Sequence, residues 1–408
     1  MRRVLVIATA LAALAAPTSH AGTPMWAETF VSEFGMSTAD GIRAGTAAVV
    51  IGGQNVVTSK DYGRTWTPLV LSPPNGGSSQ TTVAVTTPTR WYAENGRAVS
   101  MTTDAGASWR PVPIRPVISN PHESFEGATN VAAADNAPSA LIGWSAARVR
   151  DLCPYAVDFT PLFVTRDAGA RWTRVDLPAV GDAWGIEWFD ASHAAVVLIE
   201  YDWTEPERNG NECVSEGIFR QYSVWLTSDA GRSFRRAFTW KHGYVAAAWS
   251  SPTSVAVVAE RNGGGISFVS NDSGRTFSRS VPVYANNGFN GFPTMEFVEH
   301  RRGWVGAILA GVFRSDSGGY EWAHEASTAD GSFYGVPSLT ALDGTRAVNV
   351  TPRAVITRLG DVPGTPPAAP VDRVAFDGLT VTTTIGAVTR TVTHRAYGPP
   401  VASLRVVR

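Results

Sequence analysis

Seven carboxylates and a set of aromatic rings are the residues whose types could do chemistry in this chain. Glu123, Glu126, Asp182, Glu187, Asp202, Glu205 and Asp330 offer many pairs of the kind that most glycoside hydrolysis requires. Several stand in short stretches that combine an aromatic ring, a glycine and a polar group. These are HESFEG (His122 to Gly127), GDAWG (Gly181 to Gly185), WKHGY (Trp240 to Tyr244), NNGFNGF (Asn286 to Phe292) and DGSFYG (Asp330 to Gly335). Aromatic faces beside carboxylates and amides suit sugar rings, whose C–H faces stack while their hydroxyls take hydrogen bonds. The ligand-binding candidates are therefore His122, Phe125, Glu126, Trp184, Trp203, Trp240, His242, Tyr244, Phe289, Phe292, Phe333 and Tyr334. Glu123, Asp182 and Asp330 are the catalytic candidates. The bland alternative is that the rings pack between elements, as large apolar side chains usually do.

Other chemistries find less support. The seven histidines are scattered without metal-ligand spacing, so no zinc site is expected. No phosphate-cradling glycine loop precedes a helix, and there is no nucleophile elbow. Neither a metal nor a cofactor is expected. With 34 basic and 35 acidic residues the chain is nearly neutral, which removes a whole-molecule electrostatic argument for nucleic acid or an anionic membrane.

The elements that must position these residues announce themselves as repeats. SKDYGRTW begins at Ser59 and returns as TTDAGASW from Thr102, TRDAGARW from Thr165, TSDAGRSF from Thr227 and SNDSGRTF from Ser270. A sixth copy, RSDSGGYEW from Arg314, keeps Asp316 and Gly318 with one extra residue before Trp322. An Asp ahead of a turn glycine can accept the turn's own backbone amides. The glycine enters a positive-φ conformation without penalty, and the closing aromatic plugs the turn into a core. Each copy reads as a reinforced β-hairpin corner. Asp61, Asp104, Asp167, Asp229, Asp272 and Asp316 are thus assigned to structure, spaced by 43, 63, 62, 43 and 44 residues. One carboxylate per turn lacks the cluster that a calcium site needs.

These motifs resemble the Asp-box, or bacterial neuraminidase repeat, family. The resemblance implies a single all-β propeller of four-stranded antiparallel blades, with the box at the turn between the third and fourth strands. It also implies that ligands bind on the opposite face, where the loops joining successive blades gather; the five aromatic stretches fall in those loops. The family includes sialidases, xyloglucan-type hydrolases, sortilin-like receptors and photosystem-assembly propellers. Sialidases use an arginine triad, a Tyr–Glu nucleophile pair and an Asp acid/base, with the first arginine in a Phe/Tyr-Arg-Ile/Leu-Pro motif. Here Arg43 lies in Gly-Ile-Arg-Ala and Arg115 in Pro-Ile-Arg-Pro after the second box, so that motif is missing and no triad residue carries over. Stretches such as MEFVEHRRGWVGA, leading to a box, resemble the photosystem-assembly repeats, whose propellers bind partner proteins. A secreted propeller that binds a glycan or an extracellular protein, probing no nucleic acid, is the first expectation. A divergent glycoside hydrolase on the same face is the second.

Six boxes need not mean six blades. Val336 to Ala341, Arg346 to Val350 and Ala354 to Arg358 read as three further strands without a box, and Met25 to Val31 could supply the fourth. STADG occurs at Ser37 to Gly41 and again at Ser327 to Gly331, each just before an expected innermost strand. Seven blades closed by the N-terminal strand are expected, with six as the alternative. Residues 1–21, with Arg2 and Arg3 before an apolar run and small residues at 19–21, read as a secretion signal. The propeller is expected over 22–360, a Pro-rich connector over 361–370, and a β extension packed on the propeller over 371–408. The apolar run is too short to span a bilayer and no later one is longer. Export gives Cys153 and Cys213, near-equivalent in consecutive repeats, an oxidising setting in which to form one disulfide.

Overall fold

A computed structural model describes residues 22–404 apart from segments 32–35, 42–44, 52–54, 71–81, 95–97, 113, 115–122, 151–152, 157–158, 204–206, 210–211, 215–216, 285–292, 300, 308–310, 327–337, 351–353, 364–372, 377–379, 386–387 and 394–400. Among the described residues there is no helix. Strands fall into consecutive groups of four, each an antiparallel meander. The first strand of each group contacts the first strands of the groups on either side, and this chain of contacts closes from Met36–Gly41 round to Ser338–Ala341 and back. A closed ring of sheets with their first strands inward is a seven-bladed β-propeller.

Blade 4 shows how the sequence dictates this. Its inner strand is Gly181–Trp188, its second Ala194–Trp203, its third Gly217–Thr227 and its outer Arg235–Trp240. Along the second strand Ala194, Val196 and Leu198 pack toward blade 3, while Ala195, Val197 and Ile199 pack toward blade 5. A strand buried on both faces reads as an unbroken apolar run, here AAVVLI, and not as an alternation. Seven such apolar clusters fill the seven boundaries between neighbouring blades.

Blade 7 takes its outer strand from the other end of the chain. Gly22–Val31 pairs antiparallel with Ala354–Pro363, placing Trp26 opposite Arg358. The seam is sealed by polar contacts as well. Glu325, on the outer strand of blade 6, accepts from Arg358 Nε at 2.8 Å and Nη2 at 3.0 Å. The same carboxylate accepts the indole N–H of Trp26 at 3.2 Å and of Trp304 at 3.3 Å. On the other side Trp66 Nε1 of blade 1 donates to Thr29 Oγ1 at 2.9 Å. Arg358 occupies the register position that Ser59 holds in blade 1, opposite the first residue of the second strand. The boxless blade thus puts an ion pair where the others put a turn. The extension beyond the propeller forms a separate four-stranded antiparallel sheet of Arg373–Phe376, Thr380–Ile385, Val388–Thr393 and Val401–Leu404, and does not complete blade 7.

The box turns are built alike. The leading hydroxyl accepts the amide of the box glycine: Ser59 from Gly63 at 2.8 Å, Thr227 from Gly231 at 2.9 Å, Ser270 from Gly274 at 2.7 Å. The carboxylate gathers the following turn, as when Asp272 accepts Thr276 N at 2.9 Å and its hydroxyl at 2.6 Å. The sixth turn corrects the sequence reading. Ser315 accepts Gly319 N at 2.9 Å and Ser317 accepts Glu321 N at 2.7 Å, so Ser317 stands in the carboxylate's place. Asp316 falls one residue ahead of the carboxylate's place and binds Arg314 Nη2 at 3.0 Å. In this register the sixth box has no extra residue: it runs from Ser315 to Trp322 as the first runs from Ser59 to Trp66, and Trp322 closes the turn onto Gly319 O at 3.0 Å as Trp66 does onto Gly63 O at 3.0 Å.

Candidate functional site

The face opposite the boxes carries a cluster of side chains at the boundary of blades 4 and 5. Loop glycines make it possible for the connecting loops to run close over the strand ends. A Cβ on Gly181 would lie 2.1 Å from Ile199 O, and one on Gly243 would lie 2.9 Å from Glu260 O. Those tight approaches bring Asp182, at the start of the inner strand of blade 4, beside Tyr201 at the end of the second. Tyr222 on the third strand meets Tyr244 of the next loop at 5.8 Å between ring centroids, and Phe219 at 5.3 Å. Trp240 donates its N–H to Glu260 O at 2.6 Å, stacks with Phe238 at 6.2 Å and meets His242 edge-on at 5.3 Å. Glu260 itself is buried at the end of Ser254–Arg261, and its amide donates to Tyr244 O at 2.8 Å.

The rim of this cluster is apolar and open. Trp184 is 37% exposed, Phe219 44% and Ile218 59%. Trp184 is fixed from the neighbouring blade, where Asn130 Nδ2 donates to its carbonyl at 2.9 Å. The second and third strands of blade 4 run on past the cluster as a long arm with a two-stranded hairpin at its end, Glu207–Asn209 with Glu212–Val214. Arg220 on this arm pairs with Asp202 at 3.5 Å.

Electrostatics keep the phenols in their neutral form. Burial, then Asp182, pushes Tyr201 up. Burial, then Tyr244, Tyr201 and Glu260, pushes Tyr222 up. Tyr244 and Tyr284 rise by burial and then by Glu260. Neutral phenols are hydrogen-bond donors to hydroxyl or carbonyl groups, whereas a tyrosine nucleophile needs its proton drawn off.

Of the sequence candidates, the cluster unites Asp182, Trp240, His242 and Tyr244, with Trp184 at its rim. Trp203, Glu123, Phe125 and Glu126 lie on described strands of blades 4 and 3, with their side chains outside the described residues. His122, Phe289, Phe292, Asp330, Phe333 and Tyr334 lie outside the described residues altogether. Cys153 lies on a strand beside blade 3 and Cys213 in the hairpin of blade 4, with both side chains outside the described residues. Sequence reasoning missed Tyr222 and Glu260. A signal existed: apolar second strands end on glutamate three times, in WYAE, AAVVLIE and SVAVVAE, and Glu94, Glu200 and Glu260 are all buried.

A second polar feature lies on the axis. Asp40, Glu187 and Glu296 occupy one register position on the inner strands of blades 1, 4 and 6, opposite Ala48, Ala195 and Trp304. Thr340 holds that position in blade 7, opposite Val348, and alanines hold it in blades 2, 3 and 5. Asp40 accepts Val85 N of the next blade at 2.5 Å, and Glu296 accepts Ala341 N at 2.7 Å. Glu187 therefore belongs to the channel and not to the mouth. Among the described residues no group of three or more His, Cys, Asp or Glu is placed to hold a metal.

No protein-family model matches this sequence, and no curated protein matches it either. Solved structures do. YCF48 bound to D1 peptide aligns over 85% of this chain and 97% of its own, at 14% identity and a TM-score of 0.55. An ancestral GH74 enzyme aligns over 90% of this chain and 53% of its own, at 13% identity and a TM-score of 0.52. Virginiamycin B lyase from Staphylococcus aureus aligns over 83% of this chain and 99% of its own, at 9% identity and a TM-score of 0.51. Such identities carry architecture and nothing finer: by fold, the chain is a β-propeller.

Proposed function

We propose that this chain is an exported Asp-box propeller that binds a glycan or a protein segment at the mouth between blades 4 and 5, without turning it over. The observation that supports this most is the pairing of exposed aromatic rings, Trp184 and Phe219, with the tyrosine cluster of Tyr222 and Tyr244 on the same face. Rings of that kind offer stacking surface, and the phenols offer donors. Five of the six turns follow the Asp-box arrangement of hydroxyl, carboxylate and glycine, which supports the family reading. That YCF48 was solved with a bound peptide makes a peptide segment a reasonable occupant by analogy of fold. Export rests on the leader-like residues 1–21, and an oxidising compartment would let Cys153 and Cys213 pair.

The hydrolase reading draws on a different observation, the closeness of Asp182 to Tyr201 and of Glu260 to Tyr222 and Tyr244. A glycan-array screen of the mature chain, run beside a hydrolysis assay that includes sialosides, separates the two. Binding without turnover, lost in Trp184→Ala, is the expected result. Turnover that disappears in Asp182→Asn would replace binding by catalysis. Peptide capture by the same face, with both glycan assays silent, would select the protein ligand.

A further inference from the structure

The box face carries an unbalanced row of arginines. In three successive blades the box turns place Arg166 and Arg171, then Arg232 and Arg235, then Arg275 on one rim. All but Arg166, which is half-buried, are exposed. They bridge blade to blade through carbonyls. Arg166 Nε donates to Ala230 O at 2.7 Å, and Arg235 donates to Gly274 O at 3.0 Å and to Ser273 O at 2.6 Å. Arg232 Nη1 donates to Asp229 O at 3.0 Å.

The box acids of these blades keep their charge but spend their oxygens on their own turns, and Asp167, Asp229 and Asp272 are three against the five arginines. Asp229 Oδ1 takes Thr227 Oγ1 at 2.8 Å, Arg232 N at 2.9 Å and Ser233 N at 3.0 Å, while Oδ2 takes Ser233 Oγ at 2.6 Å. Asp167 and Asp272 are engaged in the same way. Among the described residues, the ion pairs near this face join Arg174 to Asp176, His193 to Asp190, and Arg302 and Arg314 to Asp316. None joins a carboxylate to Arg166, Arg171, Arg232, Arg235 or Arg275. Arg166 is pushed down by burial and then by the nearby charge of Arg232, which Asp229 offsets in part, as expected where two arginines share one acid. Planar guanidiniums with spare N–H groups are the side chains best suited to carboxylate or sulfate in a bidentate grip.

We infer that the box rim of blades 3 to 5 is a second binding surface, distinct from the mouth, for a linear anionic polysaccharide. Its uronic or sulfate groups would meet one blade's arginines at a time along the arc. Two further observations narrow the partner. Among the described residues the box rings Trp172, Phe234 and Phe277 are half-buried and one exposed ring, Tyr320 of blade 6, borders the arc, its hydroxyl accepting from the side-chain amide of Asn271 in the blade 5 box. The arc thus offers a single ring where a run of stacked bases or a bilayer would need several. Asp40, Glu187 and Glu296 line the axis and offer a polyanion no cationic contact there, so it would follow the rim. With a formal net charge of −1 over the whole chain, the attraction is local and salt must weaken it steeply.

The test is direct binding of the full chain to polygalacturonate and heparin, with dextran as the neutral control, at low and near-physiological salt. Both polyanions are expected to bind at low salt and dextran is not. The double variant Arg171→Gln/Arg275→Gln removes two exposed charges that hold no structural contact, so its fold should survive. It should weaken binding about tenfold and reduce the salt slope by about one for each arginine lost, on the scale of counterion release. Arg166→Gln/Arg232→Gln should do the same if it folds. Arg220→Gln, on the opposite face, should change nothing. Absence of polyanion binding at low salt would overturn the inference, as would equal losses in Arg220→Gln. Tighter binding of a DNA duplex than of either glycan would also overturn it, in favour of nucleic acid.

Discussion

At the scale of single residues, the box glycines answer to two constraints at once. Gly274 has φ +79°, and a Cβ built there would stand 2.4 Å from Leu226 Cδ1 of the preceding blade. Gly63 has φ +76° and meets Thr357 and Val348 of blade 7 in the same manner. The turn conformation and the blade boundary therefore both exclude a side chain. Gly274→Ala should cost about 2–4 kcal/mol, combining a left-handed alanine with overpacking. Asp229→Ala strands four donors, three of them at the exposed turn and one, the Thr227 hydroxyl, on a buried residue, and should cost about 1–2 kcal/mol. Urea denaturation of both variants checks the order, and equal losses would mean that the boundary contact contributes nothing. Asp316, by contrast, reads from the sequence as a box carboxylate because it stands two residues before Gly318, while the competing register offers Ser317 before Gly319. Only the hydrogen bonds from Gly319 and Glu321 decide between them.

Elements were more legible than the contacts that join them. The repeat spacing gave the blades, and the segment Met25 to Val31, left over before blade 1, offered the strand that blade 7 lacked. The pairing of Trp26 with Glu325 across 299 residues had no local trace, since nothing near either residue specifies the other. The mouth was half legible for a similar reason. Trp240 and Tyr244 stand in a visible loop motif, whereas Glu260 lies at the end of an apolar strand and Tyr222 inside one that runs on past the mouth. The closure seam makes a sharp expectation. Glu325→Ala leaves Arg358, fully buried, and Arg314 without their shared acid, and should cost about 3–5 kcal/mol. Its unfolding should be preceded by protease access to the Gly22–Val31 strand, seen as early cleavage in limited proteolysis. If that strand stays protected until the whole ring unfolds, the seam is no weaker than any other boundary.

The whole molecule holds two opposed populations of carboxylates, and their sum sets its response to pH. Asp104 is pulled down to about 2 by the Ser108 hydroxyl, then by Thr102 and the Ser108 amide. Asp272 is pulled down by the Thr276 hydroxyl, its amide and Ser270. Groups lowered on folding contribute stability above the ordinary carboxylate value of about 4, lost as pH falls through the folded value. On the axis the shift is reversed. Asp40, Glu187 and Glu296 are pushed up, first by enclosure among the seven inner strands and then chiefly by one another and Asp135. Residues of blades 1, 4 and 6 can sense each other only across the channel. A raised carboxylate contributes its full stability below about pH 4, and loses it as pH rises through the folded value. Stability should therefore peak on the acid side of neutrality, with box carboxylates limiting it below and axial ones above. Glu187 is the informative position, because Asp40 and Glu296 also cap amides of the next blade. Glu187→Gln should raise the Tm by a few degrees near pH 7.5 and leave it unchanged near pH 4.5, flattening the neutral limb of the profile. A parallel shift at both pH values would show that the substitution acts through packing, and a wild-type Tm still climbing at pH 8 would show that the axial charges are not coupled.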